Sequence, residues 1–279
     1  MIRLAILTTA FALLTQPVFA QKVPKGYKLV WADEFNKPGK PDPKNWNYET
    51  GFVRNNELQW YQPQNAIVKN GLLIIEARRE RKPNPNYNPA ASGNDAYKTK
   101  REAADYTSAC LITSGKHSWT YGRFEMRAKI DVRPGIWPAF WALGTEKEWP
   151  AGGEIDIMEA YGGNLLANFF WASDQRWKPI VKDSRIPVTS FDDPKWSEKF
   201  HIWRMDWDKM KISLFMDNRL MNEIEIAKTI NQDGSNQSPY HSPLYLLLNL
   251  AIGGDAGGDP SKTTFPAKLE VDYVRVYQK

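Results

Sequence analysis

Three carboxylates stand close together in the segment Glu154-Ile-Asp156-Ile-Met-Glu159. Read as a β-strand, successive side chains alternate faces, so Glu154 and Asp156 share one face while Ile155 and Ile157 take the other. Glu159 breaks the alternation, because odd spacings change face. One extra residue looped out near Ile157 or Met158, a β-bulge, restores the parity and puts all three acids on one face. Like charges packed this closely cannot all ionise at ordinary pKa values, so at least one is expected to be raised. Two carboxyls of different protonation suit cleavage of a glycosidic bond. One carboxylate attacks the anomeric carbon, and one carboxylic acid protonates the leaving oxygen. The retaining form of that reaction wants the two groups roughly 5–5.5 Å apart. Four strand steps of about 3.3 Å span roughly 13 Å between Cα atoms, so Glu154 and Glu159 meet only if the strand curves and both side chains lean inward. Asp156, between them, would hold or share the proton.

An acidic strand needs neighbours to hold it. Residues 122–130 alternate Phe124, Met126, Ala128 and Ile130 against Arg123, Glu125, Arg127 and Lys129, the pattern of a half-buried strand. In residues 136–143, Trp137 and Trp141 share parity with small Ala139 between them. If their face is the acidic one, two indoles form a stacking platform for pyranose rings; the core is the other destination. Further strands are predicted at 27–31, 66–68, 72–78, 109–113, 139–143, 166–172, 201–206, 211–216, 245–250 and 269–277. Turn signals separate them, such as Lys69-Asn70-Gly71 and Ile252-Gly253-Gly254-Asp255. Residues 222–230 fit a short helix or a strand. Residues 81–101, rich in Pro, Asn, Gly and charge, read as a long surface loop. Many strands and almost no amphipathic helix predict an all-β chain, an antiparallel sandwich of two sheets.

Composition narrows the function classes. Residues 1–20 read as a signal peptide, with Arg3 before an apolar core and Val18-Phe19-Ala20 before Gln21. That leaves 21–279 as one domain, released to the periplasm or beyond, with no lipobox cysteine. The apolar run is too short to span a membrane, and no other stretch qualifies. The lone cysteine, Cys110, excludes an intrachain disulfide and reads as a small buried hydrophobe. The net charge of +5 includes Arg3, and the basic residues are scattered among acids, which argues against a nucleic-acid partner. The 12 Trp and 12 Tyr supply flat faces that suit sugar rings.

The chain resembles glycoside hydrolase family 16, most of all its bacterial laminarinase-type members. The matching pieces run from Trp31-Ala-Asp-Glu-Phe-Asn36 through Asn55-Asn-Glu57-Leu-Gln59, Tyr121-Gly-Arg-Phe-Glu125 and Trp137-Pro-Ala-Phe-Trp141 to Gly153-Glu-Ile-Asp-Ile-Met-Glu159. Leu246-Leu-Leu-Asn249 and Val271-Asp-Tyr-Val-Arg-Val276 complete them. The resemblance implies a jelly roll of the concanavalin A-like kind with a concave substrate cleft, and a monomer acting on β-glucan by retaining endo-hydrolysis without a catalytic cofactor. On matching positions, Glu154 is the nucleophile, Glu159 the acid/base and Asp156 their assistant. Trp137 and Trp141 are its cleft tryptophans, and Arg54, Asn56, Glu57 and Asn249 fall in segments that line the cleft. A structural Ca²⁺ of the family would draw on Glu34, Gly71 and Asp272, hard oxygen donors of the right kind. One departure stands out. Where laminarinase-type members have a histidine-containing strand, this chain has Asn164-Leu-Leu-Ala-Asn168-Phe-Phe-Trp171. Asn168 and Trp171 are expected to take over contacts near the cleavage point. The change leaves open mixed-linkage glucan or an algal galactan such as agar or porphyran. A non-catalytic sugar-binding protein or a transglycosylase on the same scaffold are the competing readings.

Overall fold

Period-2 burial organises the chain. In the strand Gly122–Lys129 every second residue is buried, Phe124, Met126 and Ala128 facing inward while Arg123, Glu125, Arg127 and Lys129 stay partly exposed. The strand His201–Trp207 repeats the pattern with His201, Trp203, Met205 and Trp207. A strand with one apolar face must bury it against another layer. The computed structural model, which describes residues 23–279, shows how. The expected signal peptide at 1–20 lies outside the described residues.

Two sheets face each other. One has ten strands, with Gly122–Lys129 and Ala267–Gln278 at its centre. The other has eight and runs Pro179–Lys182, Asn164–Ala172, Glu154–Tyr161, Ile136–Gly144, Leu244–Ile252, Cys110–Ile112 and Asn47–Glu49, with Arg185–Pro187 also paired to Asn164–Ala172. Pairing is antiparallel except where Gln59–Tyr61 runs parallel to Ala103–Ser108. The core between the sheets takes Leu73, Ile75, Met126 and Val274 from one and Phe140, Ile155, Phe169 and Leu248 from the other. Each such side chain contributes about 1.5–3 kcal/mol of burial. Cys110 is fully buried, as its apolar reading predicts. On its outer side the ten-stranded sheet carries an ion-pair ladder, including Arg123–Asp206 at 2.6 Å and Arg127–Asp272 at 2.7 Å.

Differences from the sequence reading are local. Residues 81–101 are not one loop: the strand Leu72–Pro83 runs into them, and a helical turn closes them at Tyr97–Lys100. The ambiguous stretch resolves as the strand Arg219–Glu225 followed by a 3₁₀ turn, Ile226–Lys228. Among the described residues no helix is long and apolar enough to cross a membrane.

Candidate active site

The acidic strand Glu154–Tyr161 lies inside the eight-stranded sheet, between Ile136–Gly144 and Asn164–Ala172. Its register slips once on each side. Asp156 and Met158 pair with the adjacent residues Trp141 and Phe140, so Ile157 is the extra residue. Toward the other neighbour, Asp156 pairs with Asn168 and Glu159 with Leu166. The bulge sends Ile157 and Met158 both into the core, where they join Ile155 and Ala160. Glu154, Asp156, Glu159 and Tyr161 are left together on the outer face, lining a cavity of about 490 Å³.

The turn that delivers Glu154 is tight. Gly153 has φ +79, and a Cβ there would meet Pro239 at 2.9 Å, so only glycine fits. Behind it, the Tyr240 hydroxyl sits 3.0 and 2.9 Å from the carbonyl oxygens of Glu154 and Phe170, pinning two strands together. The acids are held by directed donors. The Trp149 indole N–H donates to Glu154, and that of Trp137 donates to Glu159 at 2.8 Å. The Asn168 amide donates to Asp156 at 2.9 Å and to Glu159 at 3.2 Å.

All three carboxyls titrate above their usual range. Burial raises Glu154 to about 7, with the charge of Glu159 adding and the Trp149 bond opposing. Burial again leads for Asp156, which the charges of Glu159 and Glu154 push well up. Glu159 is raised by burial, against hydrogen bonds from Asp156, Trp137 and Asn168. Mutual repulsion, the cause expected from sequence, ranks second to desolvation at Glu154 and Asp156, while at Glu159 burial is the cause that raises it. Asp156 shares hydrogen bonds with both glutamates, so it can pass a proton to Glu159.

Trp137 and Trp141 both line the cavity while staying largely buried, Trp141 packed with Tyr61, Cys110 and Leu247. Trp141 donates to Asn249 Oδ1 at 2.7 Å, and the Arg54 guanidinium lies 5.0 Å from its ring centroid. Arg54 is paired with Glu49. Glu57 lines the same end, raised to about 6 chiefly by burial.

Two expected contacts are corrected. Trp171 packs into the core rather than the cavity. The odd spacing from Asn168 turns it inward, and Phe170 takes the cavity position instead. Asn56 is exposed and binds Asp255 at 3.0 Å, while Asn55 lines the cavity. Both asparagines have left-handed backbones, φ +54 and +50, so the chain reverses there and strand alternation does not apply. Trp149, Tyr161, Phe170 and Asp255 were missed. Phe170 and Tyr161 follow from parity with Asn168 and with Glu159 beyond the bulge, whereas Asp255 belongs to the turn at 252–255, and nothing local says that this turn reaches the cavity.

The two carboxylates among the expected calcium donors are engaged by arginines. Arg275 clasps Glu34 at 2.6 and 2.7 Å, and Arg127 holds Asp272 at 2.7 Å. Each carboxylate already has its cation, and Gly71 sits in a turn with φ +76. Among the described residues, no group of three or more His, Cys, Asp or Glu could hold a metal.

Comparison with known proteins places this geometry. The beta-glucanase of Rhodothermus marinus is 36% identical over 90% of this chain and 85% of its own length. A LamA variant from Z. galactanivorans, solved with laminaritriose and laminaritetraose, is 34% identical over 90% of this chain and 98% of that one, with a TM-score of 0.71. A structure from work on human gut microbiota that express endo-acting O-glycanases to initiate mucin breakdown is 32% identical, covers 92% and 93% of the two chains, and reaches a TM-score of 0.82. The profile described as "Glycosyl hydrolases family 16" matches residues 55–275, and the chain belongs to that family.

Proposed function

We propose that this glycoside hydrolase is a retaining endo-β-glycanase that cuts internal β-1,3 or mixed β-1,3/1,4 linkages of β-glucan. The observation that carries the reading is the bulge at Ile157, which brings Glu154, Asp156 and Glu159 into one cavity flanked by Trp137 and Trp141. Ionised Glu154 attacks the anomeric carbon while protonated Glu159 donates to the glycosidic oxygen, and the leaving chain departs. Glu159, now a carboxylate, takes a proton from water, which displaces Glu154 and restores the starting state with configuration retained. Asp156 shares its proton with Glu159 during these exchanges. A polymeric substrate is met outside the cytoplasm, in line with the leader expected at residues 1–20, and one chain carries the whole triad, so a monomer suffices.

Glu154→Gln tests the assignment. The variant is expected to bind laminarin or barley glucan but to release no new reducing ends; turnover near wild type refutes it. A second reading has its own support. The O-glycanase relative matches with a TM-score of 0.82 against 0.71 for LamA, and this chain carries Asn168 in a strand without histidine. Both fit cleavage of a β-galactoside within an O-glycan or another galactan. A panel of laminarin, barley glucan, agarose, porphyran and mucin O-glycans separates the two by which polymer is shortened.

A further inference from the structure

Beyond the catalytic strand, the outer face of the sheet continues onto residues that no part of the reaction uses. Register fixes which side chains share it, because cross-strand partners point the same way. Glu154 pairs with Phe170, and Phe170 with Val181. Glu159 pairs with Leu166, and Leu166 with Arg185. The opposite parity, Leu165, Ala167, Phe169 and Trp171, fills the core, and Ile180 and Ile186 pack against it. Phe170, Val181 and Arg185 are therefore on the cleft side, two of them on strands at the sheet's margin.

Arg185 is two strand spacings from Glu159, roughly 9–10 Å between backbones. Its guanidinium lies 5.9 Å from the ring centroid of Tyr161, which lines the cavity and packs edge-on against Trp137. The Arg185 charge also acts on Glu159, holding its carboxyl down against the effect of burial. In protein terms this cation is weakly engaged. Its nearest acid is Asp183 at 3.5 Å, and its side chain remains 56% exposed.

The acid of a retaining glycosidase touches the oxygen that the leaving sugar keeps. The sugar bearing that oxygen must rest against Glu159. On one side of the acid the cavity is already walled by Trp137, Trp141 and Arg54; on the other stand Arg185 and the apolar strip of Phe170 and Val181. We propose that this margin is the leaving-group subsite, with Arg185 donating hydrogen bonds to hydroxyl or ring oxygens of the first sugar beyond the cleaved bond. Phe170 and Val181 carry the apolar face of that chain. Five N–H donors in a planar fork suit a ligand made of closely spaced oxygens. The inference rests on the catalytic assignment of Glu154 and Glu159.

The test compares leaving groups. Wild type and Arg185→Ala are assayed on an oligosaccharide of the preferred polymer and on a dinitrophenyl glycoside whose sugar part ends at the cleaved bond. The phenol departs without a sugar in the proposed subsite. Arg185→Ala is expected to lose about tenfold or more in kcat/KM on the oligosaccharide beyond any loss on the aryl glycoside, mostly through KM. Transfer of the glycosyl group to added oligosaccharide should fall in parallel, since acceptors enter by the same subsite. Equal losses on both substrates, or none, overturn the proposal, and thermal midpoints of both proteins separate unfolding from lost binding. A wild type that cleaves neither substrate overturns the catalytic reading and this proposal with it.

Discussion

Trp149 offers the sharpest probe of the catalytic electrostatics. Its indole N–H donates to Glu154, and the loop that carries it lies outside the regular strands. Glu154 sits at about 7 because burial penalises its charge and Glu159 repels it, while the indole bond pulls the other way. Phenylalanine at 149 keeps an aromatic ring and removes the donor. A hydrogen bond to a charged group contributes about 1.5–3 kcal/mol, and one pKa unit corresponds to about 1.4 kcal/mol. Loss of the donor should therefore raise Glu154 by about 1–2 units. Glu154 is half-buried and lines the cavity, so solvent screens part of the change and the lower end of that range is expected.

The sign follows from the reaction. Glu154 must be ionised to attack, so activity falls as pH drops through its pKa. Raising that pKa moves the acid limb of kcat/KM toward alkaline pH, and the active window narrows from below. Well under the limb, Trp149→Phe should run about 10–100-fold slower than wild type, while near the alkaline side the two converge. Initial rates of reducing-end release across the pH range, with circular dichroism to confirm folding, give the answer. A uniform loss at every pH with an unmoved acid limb would refute the reasoning, because packing rather than charge would then explain it.

Other perturbations address neighbouring parts of the site. Asp156→Asn keeps the amide contact with Asn168 but removes the shared proton, and kcat should fall about 10²-fold or more with KM little changed, read from Michaelis–Menten curves. Tyr240→Phe leaves the carbonyls of Glu154 and Phe170 without their donor, at a cost of about 1–3 kcal/mol, visible as a lower urea midpoint at unchanged m. Trp141→Ala strips the partner of Arg54 and Asn249 and should raise KM on polysaccharide about tenfold, measured alongside kcat. Chelator or added calcium should leave Tm unchanged, because Glu34 and Asp272 are already neutralised by Arg275 and Arg127; a Tm that rises with calcium would contradict that.

Much of the fold is legible because burial imposes a period. Gly122–Lys129 and Lys211–Met216 alternate cleanly or stand between turn signals, and their bounds follow from side-chain types alone. Short strands such as Asn47–Glu49, Gln59–Tyr61 and Arg185–Pro187 escape notice, since three residues hold only one and a half alternations, too few to stand out. They exist because longer neighbours offer unpaired backbone groups, a tertiary cause without a local signature. The parallel pairing of Gln59–Tyr61 with Ala103–Ser108 is of the same kind.

The active site was readable for a different reason, namely that its chemistry violates the local pattern. An acid at the wrong parity demands a bulge, and the bulge appears at Ile157. The same parity, carried one strand over, excludes Trp171 and selects Phe170, because no bulge intervenes between Asn168 and either residue. Residue type favoured the tryptophan, whereas spacing favoured the phenylalanine, and in a strand whose two faces meet different layers spacing wins. A one-residue error there exchanges a core side chain for a cleft side chain, burying polar groups or exposing a large ring. Asn55 and Asn56 mark where this logic ends: consecutive left-handed residues reverse the chain, and the side chain that reaches the cleft is set by the turn instead of by alternation.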